Sequence, residues 1–289
     1  MKMKLNKLPN DCVTAILSYT SPRDICRSAV ACSELRQAAG SDFVWESFLP
    51  SDYSEIISRA HPSVVKFGSK KDLFFLLCNS LLIDHGKKIF NLDRDTGHKT
   101  YVLSARELSI MWSSNPLYWC WKNVTNSRFE EIVELRTTWW LEIHGTINTK
   151  QLSPKTTYGA YLIFKVSEHA FGLDTMPMEI SVSVGSDQVC NNTVYLRQDF
   201  KKQQMQWVLF YNRTKMLTSR VNQGLEGSVS VVPGCRVDGW MEIELGHFFS
   251  GRVCCRDVGK EVKVSLMEVK GHHLKGGLII EGIEIRPLH

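Results

Sequence analysis

Beyond residue 99 the chain places apolar residues at every second position. Met178, Ile180, Val182 and Val184 alternate with Glu179, Ser181 and Ser183. Ala160, Leu162, Phe164 and Val166 keep the same period, as do Met241, Ile243 and Leu245, and Val262, Val264 and Leu266. Successive side chains of a strand point to opposite faces, so each run makes a ribbon with one apolar side. Several such half-buried strands separated by turn signals predict an antiparallel sandwich or barrel. Long helical patterns do not alternate with them, which argues against a parallel α/β sheet.

Residues 1–98 follow the helical period instead. Leu8-Pro9 opens a segment with Val13, Ile16 and Leu17 at helical spacing. Ser21-Pro22 breaks it and starts another helix, with Ser21 as cap and Asp24 three positions on. Gly40 ends a further helical stretch, Ser41-Asp42 restarts one through Val44, Trp45 and Phe48, and Pro50 stops it. A last helix runs from Ser69 through Leu73, Phe74 and Leu77 and is apolar nearly all round, so it is expected between other elements. Asn91 to Lys99, with Asp93, Asp95 and Gly97, reads as a polar joint between the two regimes. The expected organisation is α+β: a helical module at 1–50, a helical linker at 51–98, and a β-sandwich at 99–289 that folds independently.

Composition narrows the function classes. With 289 residues, 43% hydrophobic and 22% charged, the chain has material for two ordinary domains and is not of the disordered class. Its densest apolar stretch, Leu73 to Ile83, is interrupted by Asn79 and Ser80 and is too short for the ~20 residues of a bilayer span. Met1 to Leu8 lacks the pattern of a signal peptide. The nine cysteines are odd in number and form no C-x-x-C, which points to reduced thiols in a reducing compartment. The sequons at Asn123, Asn191 and Asn212 would then stay unmodified. The net charge of +5 is mild, and the basic pairs Lys70-Lys71, Lys87-Lys88 and Lys201-Lys202 do not gather into one stripe, so no nucleic-acid partner is expected.

Nucleotide-binding, zincin and hydrolase-elbow motifs are absent from the sequence. The pairs His272-His273 and Cys254-Cys255 are adjacent, so on a strand they point apart and chelate poorly. Neither a metal nor a cofactor is expected.

Two families are nevertheless legible. Leu8-Pro9-Asn10-Asp11-Cys12-Val13, Ile16-Leu17-Ser18, Ser21-Pro22-Arg23-Asp24 and Ser41-Asp42-Phe43-Val44-Trp45 together resemble an F-box. One departure is Leu35, where many members carry Trp or Phe. The resemblance implies docking on the Skp-type adaptor of a cullin–RING ubiquitin ligase through Leu8, Pro9, Ile16 and Leu17. So small a helical unit buries little surface, and an exposed apolar face on it suits an interface.

The second resemblance covers residues 99–289. Leu108-Ser109-Ile110-Met111-Trp112, Asn115-Pro116-Leu117-Tyr118-Trp119, Leu141-Glu142-Ile143-His144-Gly145, Asp238-Gly239-Trp240-Met241-Glu242-Ile243 and Ile285-Arg286-Pro287 look like the phloem protein 2 family, that of the tobacco lectin Nictaba. It implies binding of N-acetylglucosamine oligomers or N-glycan cores through Trp112, Trp119, Glu261 and Glu268. A pyranose offers an apolar C–H face to an aromatic ring, and its hydroxyls donate to carboxylates.

Strand periodicity leaves a structural alternative beside each of these residues. Trp112 shares parity with Leu108 and Ile110, as a core residue would. Trp119 and Trp121 share parity, so either can face solvent, and Trp139, Trp140 and Trp240 read mainly as packing. Glu261 and Glu268 are seven apart and face opposite sides of one regular strand unless a bulge or strand end intervenes.

Three functions compete. The first is a ubiquitin-ligase substrate receptor, working with a Skp-type adaptor and a cullin in cytoplasm and nucleus, that reads glycoproteins. The second is the same receptor reading a protein surface on a lectin-like scaffold. The third is a glycosidase, which needs two carboxylates roughly 5–10 Å apart. The resemblance supports no turnover, so a non-catalytic receptor with neither nucleic-acid nor membrane partner is expected.

Overall fold

The computed structural model describes residues 8–61, 66–196, 233–251 and 259–288. Lys201, Lys202, Asn212, Cys254 and Cys255 lie outside these residues.

Six described α-helices come first: α1 (Asn10–Ser18), α2 (Pro22–Ser28), α3 (Ser33–Ala39), α4 (Asp42–Glu46), α5 (Tyr53–Ser58) and α6 (Lys70–Leu77). Ser21 caps α2 by accepting the Asp24 N–H at 3.1 Å and donating to the Asp24 carboxylate at 2.9 Å. Ser69 starts α6 in the same way, accepting the Asp72 N–H at 3.1 Å. Each serine oxygen thereby satisfies a backbone N–H that a helix start leaves unpaired. The buried Trp45 indole donates to the Ala39 carbonyl at 2.6 Å, and its ring lies 5.3 Å from that of Phe74. This contact fastens α6 to the helical module.

Fourteen described strands follow. A larger sheet runs β1 (Leu81–Ile83), β2 (Lys88–Leu92), β3 (Lys99–Ser104), β14 (Gly276–Pro287), β8 (Thr157–Phe171), β12 (Met241–Phe249), β11 (Gly234–Cys235). Beside β14 it also takes β6 (Ile132–Leu135), which pairs with β5 (Trp119–Lys122). A smaller sheet runs β10 (Asp187–Val194), β9 (Met178–Val184), β13 (Glu261–Glu268), β7 (Leu141–Asn148), β4 (Ser109–Ile110). Every described pairing is antiparallel.

The predicted alternation decides the inner faces. Met178, Ile180 and Val182 of β9 and Val262, Val264 and Leu266 of β13 share a core with Leu162 and Phe164 of β8 and Ile243 and Leu245 of β12. A bulge between Glu244 and Gly246 shifts the phase of β12, so Phe248 is buried and His247 faces out. Gly246 sits at φ +142°, and a Cβ there would meet Cys190 Sγ and Val182 Cγ2 at 2.9 Å.

The expectation for residues 51–98 needs correction. The segment is helical only through α6; β1 and β2 then extend the larger sheet. Asn91–Lys99 is no joint between domains, because Leu92 lies opposite Lys99 and residues 93–98 close the β2–β3 hairpin. Asp93 Oδ1 accepts the Asp95 and Thr96 N–H groups at 3.1 and 2.8 Å, which shapes that turn. Polar turn residues serve a hairpin as well as a linker, and the sequence does not separate the two uses. The core is also continuous: Val13, Trp45, Leu73, Phe90, Leu103 and Ile283 belong to one cluster. The helical part and the sandwich are therefore packed together. None of the described helices is long and apolar enough to cross a membrane.

Candidate functional site

The antiparallel register gives the sandwich two poles. One holds the 93–98 turn, the start of β8 and the ends of β12 and β14, and there the helical part attaches. At this pole the Lys99 ammonium pairs with Asp52 at 2.7 Å, and a Cβ on Gly97 would lie 3.3 Å from the Phe48 carbonyl. The opposite pole gathers the turns 111–118, 136–140, 172–177 and 269–275, because β4, β6, β8 and β13 all end there.

The second pole carries an aromatic array. Trp112 is 37% exposed and Trp139 44% exposed. Their rings lie 6.1 Å apart at an interplanar angle of 57°. Tyr118 packs 5.0 Å from Trp112, and Trp140 meets Trp139 edge-on at 5.7 Å. Trp112 leaves the parity of Leu108 and Ile110 because β4 ends at Ile110 and Trp112 adopts φ +58°. Left-handed backbone is uncommon for a bulky residue, and it turns the indole out of the core.

Trp119 is placed otherwise. It is 2% exposed, presents no ring face to solvent, and donates its indole N–H to the Met111 carbonyl at 3.0 Å. The neighbouring Trp121 donates to the Ser113 carbonyl at 2.8 Å, with the Arg106 guanidinium 3.6 Å over its ring. Trp240 is packing, as expected: it is buried against Ile132 and Ile163.

The two glutamates are not brought together. Both lie on the regular strand β13, Glu261 exposed at one end and Glu268 buried at the other. Seven residues of strand separate them by ~23 Å, and they face opposite sides. That spacing does not suit the carboxylate pair of a glycosidase. Glu268 accepts the Gly271 N–H at 2.7 Å and forms a buried ion pair with Lys275. Glu261 lies beside Asn148, towards the pole of the helical part.

Trp139 was not legible as a surface residue, although the tandem Trp139-Trp140 carried a signal. Adjacent side chains on extended backbone face opposite ways, so one of the two leaves the core. Trp140 also donates to Glu142 at 2.9 Å, and Glu142 is hydrogen-bonded to His144 at 2.7 Å. These two bonds, His144 foremost, hold the Glu142 carboxyl below the usual range. Among the described residues no group of three or more His, Cys, Asp or Glu is placed to hold a metal ion.

On the helical module Leu8 is 46% and Ile16 56% exposed, and Pro9 is exposed beside them. Leu17 differs. It is 5% exposed and belongs to the core with Val13, one helical turn away. Tyr19, Val30 and Phe43 are further exposed apolar side chains on the module, and the sequence did not single them out.

The chain is a helical module built onto an antiparallel sandwich with an aromatic pole. Residues 5–51 match the family model described as F-box-like, and residues 98–287 match that of phloem protein 2. The matched span begins at residue 98, so β1 and β2 precede it although they belong to the same sheet. The chain is 49% identical to the Arabidopsis thaliana F-box protein PP2-B15 over 97% of its own length and 96% of that protein's. It is 45% identical to F-box protein VBF and 46% identical to F-box protein PP2-B13 of the same plant, in each case over 97% of this chain and 98% of the relative. The chain belongs to the plant F-box proteins that carry a phloem protein 2 domain, a lectin-like domain.

Proposed function

We propose that this protein is the substrate-recognition subunit of a Skp–cullin–F-box ubiquitin ligase, working in cytoplasm and nucleus, and that its sandwich selects targets through N-acetylglucosamine-containing glycans. The observation that carries the reading is the exposure of Leu8 and Ile16 on a helical module whose own core is filled. Apolar side chains left in water on so small a unit suit an interface, here with the Skp-type adaptor. The polypeptide is then a receptor without chemistry of its own, and the partner subunits transfer ubiquitin. The exposed indoles of Trp112 and Trp139, at the pole away from the helical part, support sugar recognition by stacking.

A second reading keeps the ligase role and replaces the glycan by a protein surface. Leu117, Phe171 and Leu274 are exposed on or beside the turns of the aromatic pole and favour it. Two measurements on the full-length chain separate the readings. Co-purification with a Skp-type adaptor and a cullin tests the ligase role, and its absence for the folded wild-type chain refutes that role. Isothermal titration with chitotriose tests the glycan, for which a dissociation constant on the order of 0.1–1 mM is expected from one or two aromatic stacks. Absence of heat and of chemical-shift change at millimolar sugar leaves the protein-surface receptor.

A further inference from the structure

We propose that Trp119 and Glu268 are positioning residues, each holding one ring of a two-ring platform formed by Trp112 and Trp139. The ligand class, a pyranose stacked on the two indoles, rests on the glycan reading above; the division of labour rests on geometry alone.

Trp112 occupies left-handed backbone at φ +58°. A bulky residue stays there only where its surroundings over-determine it. Three hydrogen bonds do so. The buried Trp119 indole holds the carbonyl just before it, Met111, at 3.0 Å. Trp121 holds the carbonyl just after it, Ser113, at 2.8 Å. The Asn115 N–H closes the turn onto the Trp112 carbonyl at 2.9 Å.

Trp139 is held from the other side. Thr138 and Lys275 exchange backbone hydrogen bonds at 2.9 and 2.8 Å. The Lys275 ammonium donates to the Trp139 carbonyl at 2.8 Å and pairs with Glu268, which also accepts the Gly271 N–H at 2.7 Å. Both charged side chains are buried. Withdrawing two charges from water is unfavourable unless further hydrogen bonds serve each of them, and an apolar pair would close the same loop at less expense. The pair does something an apolar one does not: its ammonium fixes the carbonyl of an exposed tryptophan. Buried below the surface, Glu268 reaches a ligand only through Lys275 and Trp139.

The test uses the full-length chain labelled with 5-fluorotryptophan, with the Trp112 and Trp139 resonances among its eight tryptophans assigned by Trp112→Phe and Trp139→Phe. In the free protein, Trp119→Phe, which keeps an aromatic ring but removes the N–H, is expected to displace or broaden the Trp112 resonance and spare that of Trp139. Glu268→Gln is expected to do the reverse. Chitotriose affinity falls at least tenfold in both variants and in Trp139→Ala. Free-state resonances that stay in place while affinity is lost would mean that Trp119 and Glu268 touch the ligand themselves, and the proposal falls. It falls equally if both variants disturb both resonances alike. Should Glu268→Gln fail to fold, Glu268→Gln combined with Lys275→Met removes both charges and is read by the same Trp139 criterion. A wild type that binds no chitotriose at millimolar concentration refutes the glycan reading, and the fluorine resonances still decide the positioning roles.

Discussion

The Lys99 ammonium, buried at the start of β3, lies 2.7 Å from a carboxylate oxygen of Asp52, which precedes α5. The pair ties the end of the helical module to the first residue of β3, the second strand of the β2–β3 hairpin. With Trp45 packed on Phe74, and Phe74 in one cluster with Phe90 of β2, the F-box-like module and the sandwich share a core.

Asp52→Asn should therefore destabilise the whole protein, by ~1–3 kcal/mol, because it leaves a buried ammonium without its counter-charge. Asp52 itself keeps some access to solvent. Urea unfolding followed by far-ultraviolet circular dichroism and by tryptophan fluorescence should give coincident single transitions in both proteins. Two separated transitions would mean that the helical part and the sandwich unfold independently.

Leu8 and Leu17 should divide binding from stability. The double change Leu8→Ala with Ile16→Ala removes exposed side chains, so it should leave the melting temperature unchanged and weaken adaptor binding by ~2 kcal/mol or more. Leu17→Ala opens a space in the core and should lower stability by ~2–5 kcal/mol. Pull-down with a Skp-type adaptor beside thermal melting distinguishes the two effects. An unchanged pull-down of the folded double variant contradicts the assigned face.

Acid stability should depend on Glu242. Arg286 donates to it at 2.7 and 3.0 Å, and Arg236 at 2.7 Å. These bonds, Arg286 foremost, outweigh burial and hold its carboxyl below the ordinary value of 4.5. A lowered folded-state pKa means that the unfolded chain takes up the proton first as pH falls. The contribution is complete above about pH 4.5 and is lost as pH drops through the folded value. Melting temperature should fall less steeply below pH 4.5 in Glu242→Gln than in the wild type. Parallel curves would show that the Arg286 and Arg236 contacts leave Glu242 no special share.

Cys78 should resist thiol reagents. Burial pushes its thiol up to about 12, so the reactive thiolate is scarce at neutral pH. Cys12, Cys26 and Cys235 are exposed. Iodoacetamide followed by peptide mass mapping should label those three in the folded protein and reach Cys78 only after unfolding. Labelling of Cys78 at the rate of Cys12 would contradict the packing under α6.

What the sequence determined by itself is local. The cap at Ser21 was legible because a serine three residues ahead of an aspartate N–H serves a donor that every helix start leaves open. The inner faces of β9 and β13 were legible because strand period and burial coincide over a whole run. The opposed faces of Glu261 and Glu268 followed from parity on one regular strand. The tertiary structure alone decided how segments distant in sequence meet. It turned the polar stretch before Lys99 into a hairpin and set Asp52 against Lys99, 47 residues on. It placed Lys275 beneath Trp139, 136 residues away. It also exchanged the expected roles of two tryptophans. Trp112 faces out because its strand stops two residues early, and Trp119 is buried because the turn it braces folds back over it. Periodicity reports the face of a continuing strand; where a strand ends, and which carbonyl waits for an indole N–H there, is settled by packing between segments that the sequence keeps far apart.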